Sequence, residues 1–275
     1  MKKPFLYILF TFLSLISLTT TAQDFTIQQA DKYFARTYYA KAIPLYEDVI
    51  SYESSTEAIR NLADAYYYTF DFKNAEKWYR FLLKKEKSLM DDTHLFYYYQ
   101  SLKAQKKYEL ADQLFQNYLL EASAKNDYLE SLIYLKNVEA MGERYLLKNL
   151  PLNTEQSEFF SGVYQDQVLI ASTKEQKGIF ANLYYWNNQP YLNLYSIPLD
   201  SLETESPRLF AEELTTKLHE SNAAFTKDGK TVYFTRNNSD DGRFERDDEG
   251  VSRLKIFRAE IDGDQWKNIT ELPFN

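Results

Sequence analysis

Residues 224–231 match a loop that binds phosphate. Their order, Ala-Phe-Thr-Lys-Asp-Gly-Lys-Thr, fits the loose pattern of a P-loop, in which a lysine and a hydroxyl residue hold the phosphates. A P-loop also needs a helix that begins at the lysine, because the backbone amides at a helix N-terminus face the phosphates. Here β-branched and aromatic residues follow Lys230 directly, which favours a tight turn at Asp228 and Gly229 between two strands. We therefore predict a β-hairpin and no nucleotide binding.

Residues 237–248 carry oxygen-bearing side chains at a spacing near that of a calcium-binding EF-hand loop. Gly242 stands at the sharp turn of that pattern, but the final ligand position is Asp248 instead of glutamate, and strand-like sequence flanks the segment. Runs of charge between strands are typical of solvated loops. The pattern favours a charged loop between strands, and calcium binding stays an open question.

The other residues with catalytic chemistry do not form a recognisable set. The two histidines, His94 and His219, lie far apart, and neither has sequence neighbours that complete a metal site or a catalytic triad. The acidic pairs 91–92 and 247–248 are adjacent in sequence, which is typical of solvated charge and not of general acid–base catalysis. We predict no catalytic, metal-binding or cofactor-binding residues, no cofactor, and a protein that is not an enzyme.

Residues 1–22 have the pattern of a secretory signal peptide. Lys2 and Lys3 precede an apolar stretch at 5–18, and small residues lead to Ala22, after which we expect cleavage. The stretch is too short for a comfortable membrane-spanning helix. We therefore predict export to the periplasm, with the mature protein associated with the outer membrane.

Composition narrows the class of partner. The sequence has no cysteine, which excludes both a lipid anchor on cysteine and disulfide bonds. Removing residues 1–22, which contain two lysines and no acidic residue, changes the formal net charge from −8 to −10. Such a charge argues against nucleic acid or anionic lipid as a partner.

Residues 23–142 show a helical repeat. An aromatic residue, an alanine three positions later and an aromatic residue four positions after that recur three times, centred on Ala42, Ala75 and Ala111. Small alanines let two helices approach closely, and the aromatic residues fill the space beside them. This pattern resembles the tetratricopeptide repeat, with three helix pairs followed by a capping helix at 126–141.

The first helices of such pairs line a concave groove that could bind a helix or an extended segment of a partner. The alternative is a solvated surface. The candidate groove residues are Asp31, Phe34, Arg60, Asp64, Tyr67, Gln100 and Lys103.

The pattern of residues 143–275 predicts strands that form two copies of one unit. Val163 and Phe225 are 62 residues apart, and so are Tyr195 and Phe257, which occupy matching places in the two copies. Units of this kind bury their faces only against neighbours, so we expect further copies beyond Asn275. The segment from 225 to 234 resembles the blade motif of TolB-like (PD40, WD40-like) β-propellers, with Lys227 where a proline is usual. The expected fold is therefore α + β multidomain: a helical solenoid and the first two blades of an incomplete propeller.

Together these features resemble the OmpA-family cell-envelope proteins of Bacteroidetes, one type of which is the peptidoglycan-linked component of the type IX secretion system. The segment 219–238 and the ending 269–275 carry the resemblance most closely. The resemblance implies a non-enzymatic scaffold that binds envelope proteins, with peptidoglycan bound only through a C-terminal domain that this sequence lacks. The alternative is a propeller-gated hydrolase or a glycan-binding receptor whose active domain is missing.

Overall fold

The computed structural model describes residues 25–52, 55–85, 87–119, 130, 133–134, 136–138, 140–142, 146, 148–174, 183–240, 243–248 and 250–275. The predicted signal peptide lies outside the described residues. The chain divides into two compact units, of which the first comprises Met1–Arg144 with Tyr185–Asn188 and the second comprises Tyr145–Tyr184 with Gln189–Asn275. The first is helical and the second consists mainly of antiparallel strands, so the predicted α + β class is confirmed.

The helical unit consists of antiparallel helix pairs. Its helices are α1 (25–35), α2 (Tyr39–Tyr52), α3 (Thr56–Tyr68), α4 (Phe72–Lys85), α5 (Asp92–Ala104) and α6 (Tyr108–Leu114), and α6 runs on as one π-helical turn over Phe115–Leu119. Capping side chains set the starts of α3 and α5: Ser55 accepts a hydrogen bond from the amide of Ala58, and Asp91 accepts one from the amide of His94.

The repeated alanines lie in the core of the helical unit. Ala42, Ala75 and Ala111 are fully buried, as are Ala30 and Ala63 on the preceding helices. In the third pair, Tyr99 takes the place of Ala30 and Ala63; it is half-buried, and its ring packs 5.5 Å from that of Phe115. Because a tyrosine is far larger than an alanine, this third pair cannot pack as closely at that position.

The turn inside each pair has a residue in the left-handed conformation. Thr37, Phe70 and Lys106 have φ of 59°, 64° and 60° at the equivalent position. None of them is glycine, so each turn carries the steric penalty that a Cβ atom meets in this region.

The segment at 126–141 is helical at each residue that the structure describes up to 140. The apolar side chains of Ile133, Tyr134 and Val138 are exposed. The capping role of this segment stays a prediction.

Residues Tyr185–Asn188 contribute an aromatic contact to the helical unit. The indole Nε1 of Trp186 donates a hydrogen bond of 2.7 Å to the carbonyl of Tyr68, and its ring meets that of Tyr39 edge to face at 4.9 Å. The ammonium of Lys41 lies 3.5 Å from the centre of the Tyr185 ring, a cation–π contact. The helical repeat does not predict these contacts, because they come from a distant part of the chain.

The β unit contains two four-stranded antiparallel meanders of the same topology. The first is formed by β1 (Glu158–Tyr164), β2 (Gln167–Ser172), β5 (Asn193–Pro198) and β6 (Arg208–Leu209), in that order. The second is formed by β7 (Glu220–Phe225), β8 (Thr231–Asn237), β11 (Leu254–Asp262) and β12 (Gln265–Glu271).

A short two-stranded hairpin is inserted between the second and third strands of each meander. It is β3 (Leu183–Tyr184) with β4 (Gln189–Pro190) in the first, and β9 (Ser239–Asp240) with β10 (Arg243–Phe244) in the second. The two meanders therefore match in their insertions as well as in their strand order.

The two meanders share one core, and their first strands approach closely. A Cβ atom on Gly162 in β1 would lie 2.2 Å from the carbonyl oxygen of Ala223 in β7, so only glycine fits there. The amide of Ala223 donates a hydrogen bond of 3.0 Å to Ser161, the residue 62 positions earlier. Tyr164 and Phe225 pack nearby with ring centres 4.6 Å apart.

Candidate functional site

Hydrogen bonds join three successive helices at side chains fifteen residues apart. The hydroxyl of Tyr46 on α2 donates to Asp31 on α1 at 2.6 Å, and the Nδ2 of Asn61 on α3 donates to that hydroxyl at 3.1 Å. We call Asp31, Tyr46 and Asn61 the first triad. Its spacing places one member on each helix, because each helix with its turn spans about fifteen residues.

A related set recurs 33 residues later, at Asp64, Tyr79 and His94, which we call the second triad; its third member contacts the aspartate instead of the tyrosine. The hydroxyl of Tyr79 on α4 donates to Asp64 on α3 at 2.6 Å. The Nε2 of His94 on α5 lies 3.3 Å from the other carboxylate oxygen of Asp64. The second triad therefore ties α3, α4 and α5 together as the first ties α1, α2 and α3.

The two triads differ in burial and in charge. Asp31 is exposed, whereas Asp64 is only 8% exposed and Tyr79 is fully buried. Burial, together with the negative charge of Asp64, raises the pKa of Tyr79 above its usual range, so its hydroxyl stays protonated and remains a donor. A carboxylate as buried as Asp64 needs partners, and Tyr79 and His94 provide them.

His94 lies between two carboxylates. Besides Asp64, its Nδ1 is 2.6 Å from Asp91 Oδ1, although this contact lacks the alignment of a hydrogen bond. The hydrogen bond to Asp64 raises the pKa of His94 above its ordinary value of 6.5, against the opposing effect of burial, and both negative charges act in the same upward direction.

The third helix pair lacks the triad. Gln100 occupies the place of Asp31 and Asp64, and Phe115 occupies the place of the two tyrosines. A phenylalanine cannot donate a hydrogen bond, so the pair is held by apolar contacts such as that between Tyr99 and Phe115.

The predicted groove residues have unlike environments. Asp31 and Lys103 are exposed, Asp64 is buried, and the other four are half-buried: Phe34, Arg60, Tyr67 and Gln100.

Most of these residues make contacts inside the helical unit. Arg60 donates to the carbonyl of Leu89 at 3.1 Å, and Tyr67 stacks on Tyr97 with ring centres 4.2 Å apart. Lys103 lies over the ring of Tyr99. Asp31 and Asp64 hold the triads, so the set combines structural positions with accessible ones.

The sequence 226–231 forms the predicted β-hairpin. It connects β7 and β8, which pair in antiparallel register from Phe225 and Val232. Asp228 accepts hydrogen bonds from the hydroxyl of Thr226 at 2.6 Å and from the amide of Lys230 at 3.1 Å, and Gly229 adopts φ of 69°. The turn thus uses the groups that a P-loop would offer to phosphate, and the hairpin prediction is confirmed.

The loop at 237–248, which was considered for calcium binding, begins with a short hairpin. Ser239–Asp240 pairs with Arg243–Phe244, while Asp247 accepts hydrogen bonds from the amide of Val251 at 2.8 Å and from Arg253 at 2.6 Å. Two oxygens of the candidate ligand set are therefore engaged in stabilising the loop.

A buried ion pair between Glu220 and Arg236 lies at the start of β7. Glu220 lies 3.4 Å from the Nε of Arg236, and the guanidinium also donates to the carbonyl of Leu214 and packs against the rings of Phe234 and Phe257. Burial raises the pKa of Glu220 to about 7. These contacts anchor the segment before β7 to β8, a structural role.

His219 lies half-buried next to Glu220 in an aromatic environment. Its Nδ1 accepts a hydrogen bond of 3.0 Å from the amide of Leu192, and the rings of Tyr184 and Tyr191 each lie 4.7 Å away. Burial lowers the pKa of His219 to about 4, so the ring is neutral at physiological pH. The histidine therefore acts as a neutral packing residue.

A shallow cleft of about 310 Å³ lies on the β unit. Ile170 and Tyr195 are among its apolar lining residues, and Glu158, Lys174 and Glu205 are among its charged ones. Both oxygens of Glu158 accept hydrogen bonds from Thr154, so this carboxylate is engaged in holding the wall of the cleft.

Within the described ranges, histidine, aspartate and glutamate side chains do not gather in groups of three that could hold a metal ion. Over the same residues, none of the helices has the length and apolar content needed to cross a membrane.

Comparison with known proteins gives no match. The chain matches no protein-family model, no curated protein and no solved structure. The function proposed below therefore rests on the contacts described above and on the resemblance noted in the sequence.

Proposed function

We propose that this chain is a non-enzymatic, exported scaffold of a bacterial cell envelope, whose helical and β units present surfaces to other envelope proteins. The recurrence of the triad supports this proposal most directly. Asp31, Tyr46 and Asn61 recur as Asp64, Tyr79 and His94 at an interval of 33 residues, and each triad joins three successive helices. Stacked helix pairs of this kind form extended binding surfaces and not enclosed active sites.

We further propose that the helix pairs are tetratricopeptide repeats and that the meanders are propeller blades. The interval of 33 residues and the buried alanines support the first assignment. The second is supported by the equal strand order of the two meanders and by the bond between Ser161 and Ala223, which lie 62 residues apart. By resemblance, anchoring to peptidoglycan would come from a separate C-terminal domain, and type IX secretion is the process in which we would test it.

The partner surface is proposed to include the accessible side of α5. Phe96 is 44% exposed on this helix, and its ring and the ammonium of the exposed Lys103 both pack against the ring of Tyr99. Aromatic residues are enriched at surfaces that bind other proteins, so the exposed Phe96 is the residue that carries this proposal. Lys84, which is exposed at the end of α4, lies outside the predicted groove and offers a matched control.

The experiment places a photocrosslinking amino acid at Phe96, Lys103 or Lys84 in the full-length protein in its native cells. We expect crosslinks to discrete envelope proteins from Phe96 and Lys103, and none of the same products from Lys84. Equal crosslinking at all three positions would indicate non-specific contact and contradict the proposal. Hydrolase activity or glycan binding by the purified protein, without protein crosslinks, would favour the alternative functions.

A further inference from the structure

We propose that the attachment of α5 to α3 is a pH-sensitive link, in which a protonated His94 fastens the third helix pair and its deprotonation loosens it. The geometry behind this proposal is the second triad. His94 on α5 faces Asp64 on α3 at 3.3 Å, and this carboxylate is the one that Tyr79 on α4 also contacts.

The first triad shows that the same position does not require a titratable residue. Asn61 takes the place of His94 there, and its neutral amide donates to Tyr46. An amide carries no proton that dissociates near neutral pH, so the bond from Asn61 to Tyr46 joins α3 to α2 independently of pH in that range. The chain thus has a neutral third member, Asn61, in one three-helix junction and an ionisable one, His94, in the other.

The charges around His94 set the direction of the effect. Asp64 and Asp91 are the carboxylates that face it, from α3 and from the start of α5, and both favour the imidazolium form. Tyr79 contributes a neutral hydroxyl because its pKa is raised above its usual range. Asp91, whose pKa is lowered, stays ionised near neutral pH, so the histidine is the group of this cluster that changes charge there.

Proton linkage gives the pH range over which the contact between α5 and α3 weakens. Because the pKa of His94 is higher in the folded protein than its ordinary value of 6.5, its contribution is fully present below pH 6.5. The contribution is lost as the pH rises through the folded pKa. The link therefore weakens on the alkaline side of 6.5, while the junction at Asn61 does not change.

The consequence would reach the proposed binding surface. Gln100 and Lys103, two of the predicted groove residues, lie on α5. Loosening α5 would change how these residues are presented, a consequence that rests on the proposed function. The titration of the link itself does not rest on it, so the two can fail separately.

Hydrogen–deuterium exchange of the full chain at pH 6 and pH 8.5, corrected for intrinsic exchange rates, tests the proposal. We expect the protection of α5 amides to fall by about two- to fivefold at the higher pH, as for a partly buried ion pair of modest strength. The protection of α2 amides should not change. In His94→Asn, which copies the first triad, the α5 amides should lose this pH dependence.

Two results would overturn the proposal. One is an unchanged pH dependence of α5 in His94→Asn, and the other is equal α5 protection at both pH values in the unmodified protein. Asp64→Asn gives a second variant in case His94→Asn does not fold, and it should also abolish the pH dependence. Proton NMR of the two histidines measures the titration directly, and a His94 pKa at or below 6.5 would contradict the inference.

Discussion

Removing one hydroxyl from each triad should destabilise the helical unit to different degrees. Tyr79→Phe deletes the hydroxyl that donates to Asp64, and Tyr46→Phe deletes the one that donates to Asp31. Both bonds measure 2.6 Å, and both tyrosines are fully buried. The two variants therefore differ in how well water can replace the lost donor at the carboxylate. Tyr46→Phe also removes the acceptor of the half-buried Asn61 amide, which water can reach.

How deeply each accepting carboxylate is buried sets the expected loss in the free energy of unfolding. Asp64 is only 8% exposed, so its carboxylate would keep His94 but lose a donor that water cannot easily replace. A hydrogen bond to a charged group contributes about 1.5–3 kcal/mol, and we expect Tyr79→Phe to cost about 2 kcal/mol. Asp31 is exposed and can be hydrated, so Tyr46→Phe should cost about 0.5–1 kcal/mol.

Urea unfolding of the full chain, followed by circular dichroism at 222 nm, measures both changes because this signal comes mainly from the helices. We expect the unfolding midpoint to fall further for Tyr79→Phe than for Tyr46→Phe. The double variant Tyr79→Phe with Asp64→Asn should recover part of the loss, because it removes the charge that would be left with too few partners. If Tyr46→Phe costs as much as Tyr79→Phe, burial of the acceptor does not govern these bonds, and our reasoning is wrong.

Three further predictions concern backbone geometry and pH. Gly162→Ala should destabilise the β unit by about 1–3 kcal/mol in thermal unfolding, because its Cβ would meet the carbonyl oxygen of Ala223; a wild-type Tm would contradict the close approach. Lys106→Gly should stabilise the helical unit by about 0.5–1 kcal/mol, since it relieves a left-handed residue at some entropic cost in the unfolded chain, and a lower Tm would count against it. His219 has a folded pKa of about 4, below its ordinary 6.5, so its contribution to stability is present above pH 6.5 and is lost as the pH falls towards 4; His219→Gln should lessen that fall in acid unfolding, and an identical pH profile would refute it.

Short-range patterns predicted the local structure well. The alternation of alanine and aromatic residues indicated the helices, because a repeat of three and four positions places them on one helix face. Asp228 and Gly229 indicated the hairpin, because glycine readily adopts the positive φ that the turn requires. In both cases the physical cause lies within a few residues of the chain.

The candidate site was predicted less well. Asp64 was expected to line a groove, but it is buried because Tyr79 and His94 supply the partners that a buried carboxylate needs. His94 was considered without a partner, since its acidic partner Asp64 lies thirty residues earlier on another helix. The available signal was an aspartate, a tyrosine and a polar residue at successive spacings of fifteen. This set occurs at 31, 46 and 61 and again 33 residues later at 64, 79 and 94.

The sequence by itself determined where helices and strands form and the 33- and 62-residue intervals of the two repeats. It also determined that the third member of the first triad is a neutral asparagine and that of the second an ionisable histidine. Tertiary structure alone decided that Asp64 is buried while Asp31 is exposed, and that Gly162 lies against the carbonyl of Ala223. The reason is physical. Secondary structure follows from interactions between near neighbours, whereas burial and close approach depend on which distant segments pack together, and a repeat pattern is the same at positions whose surroundings differ.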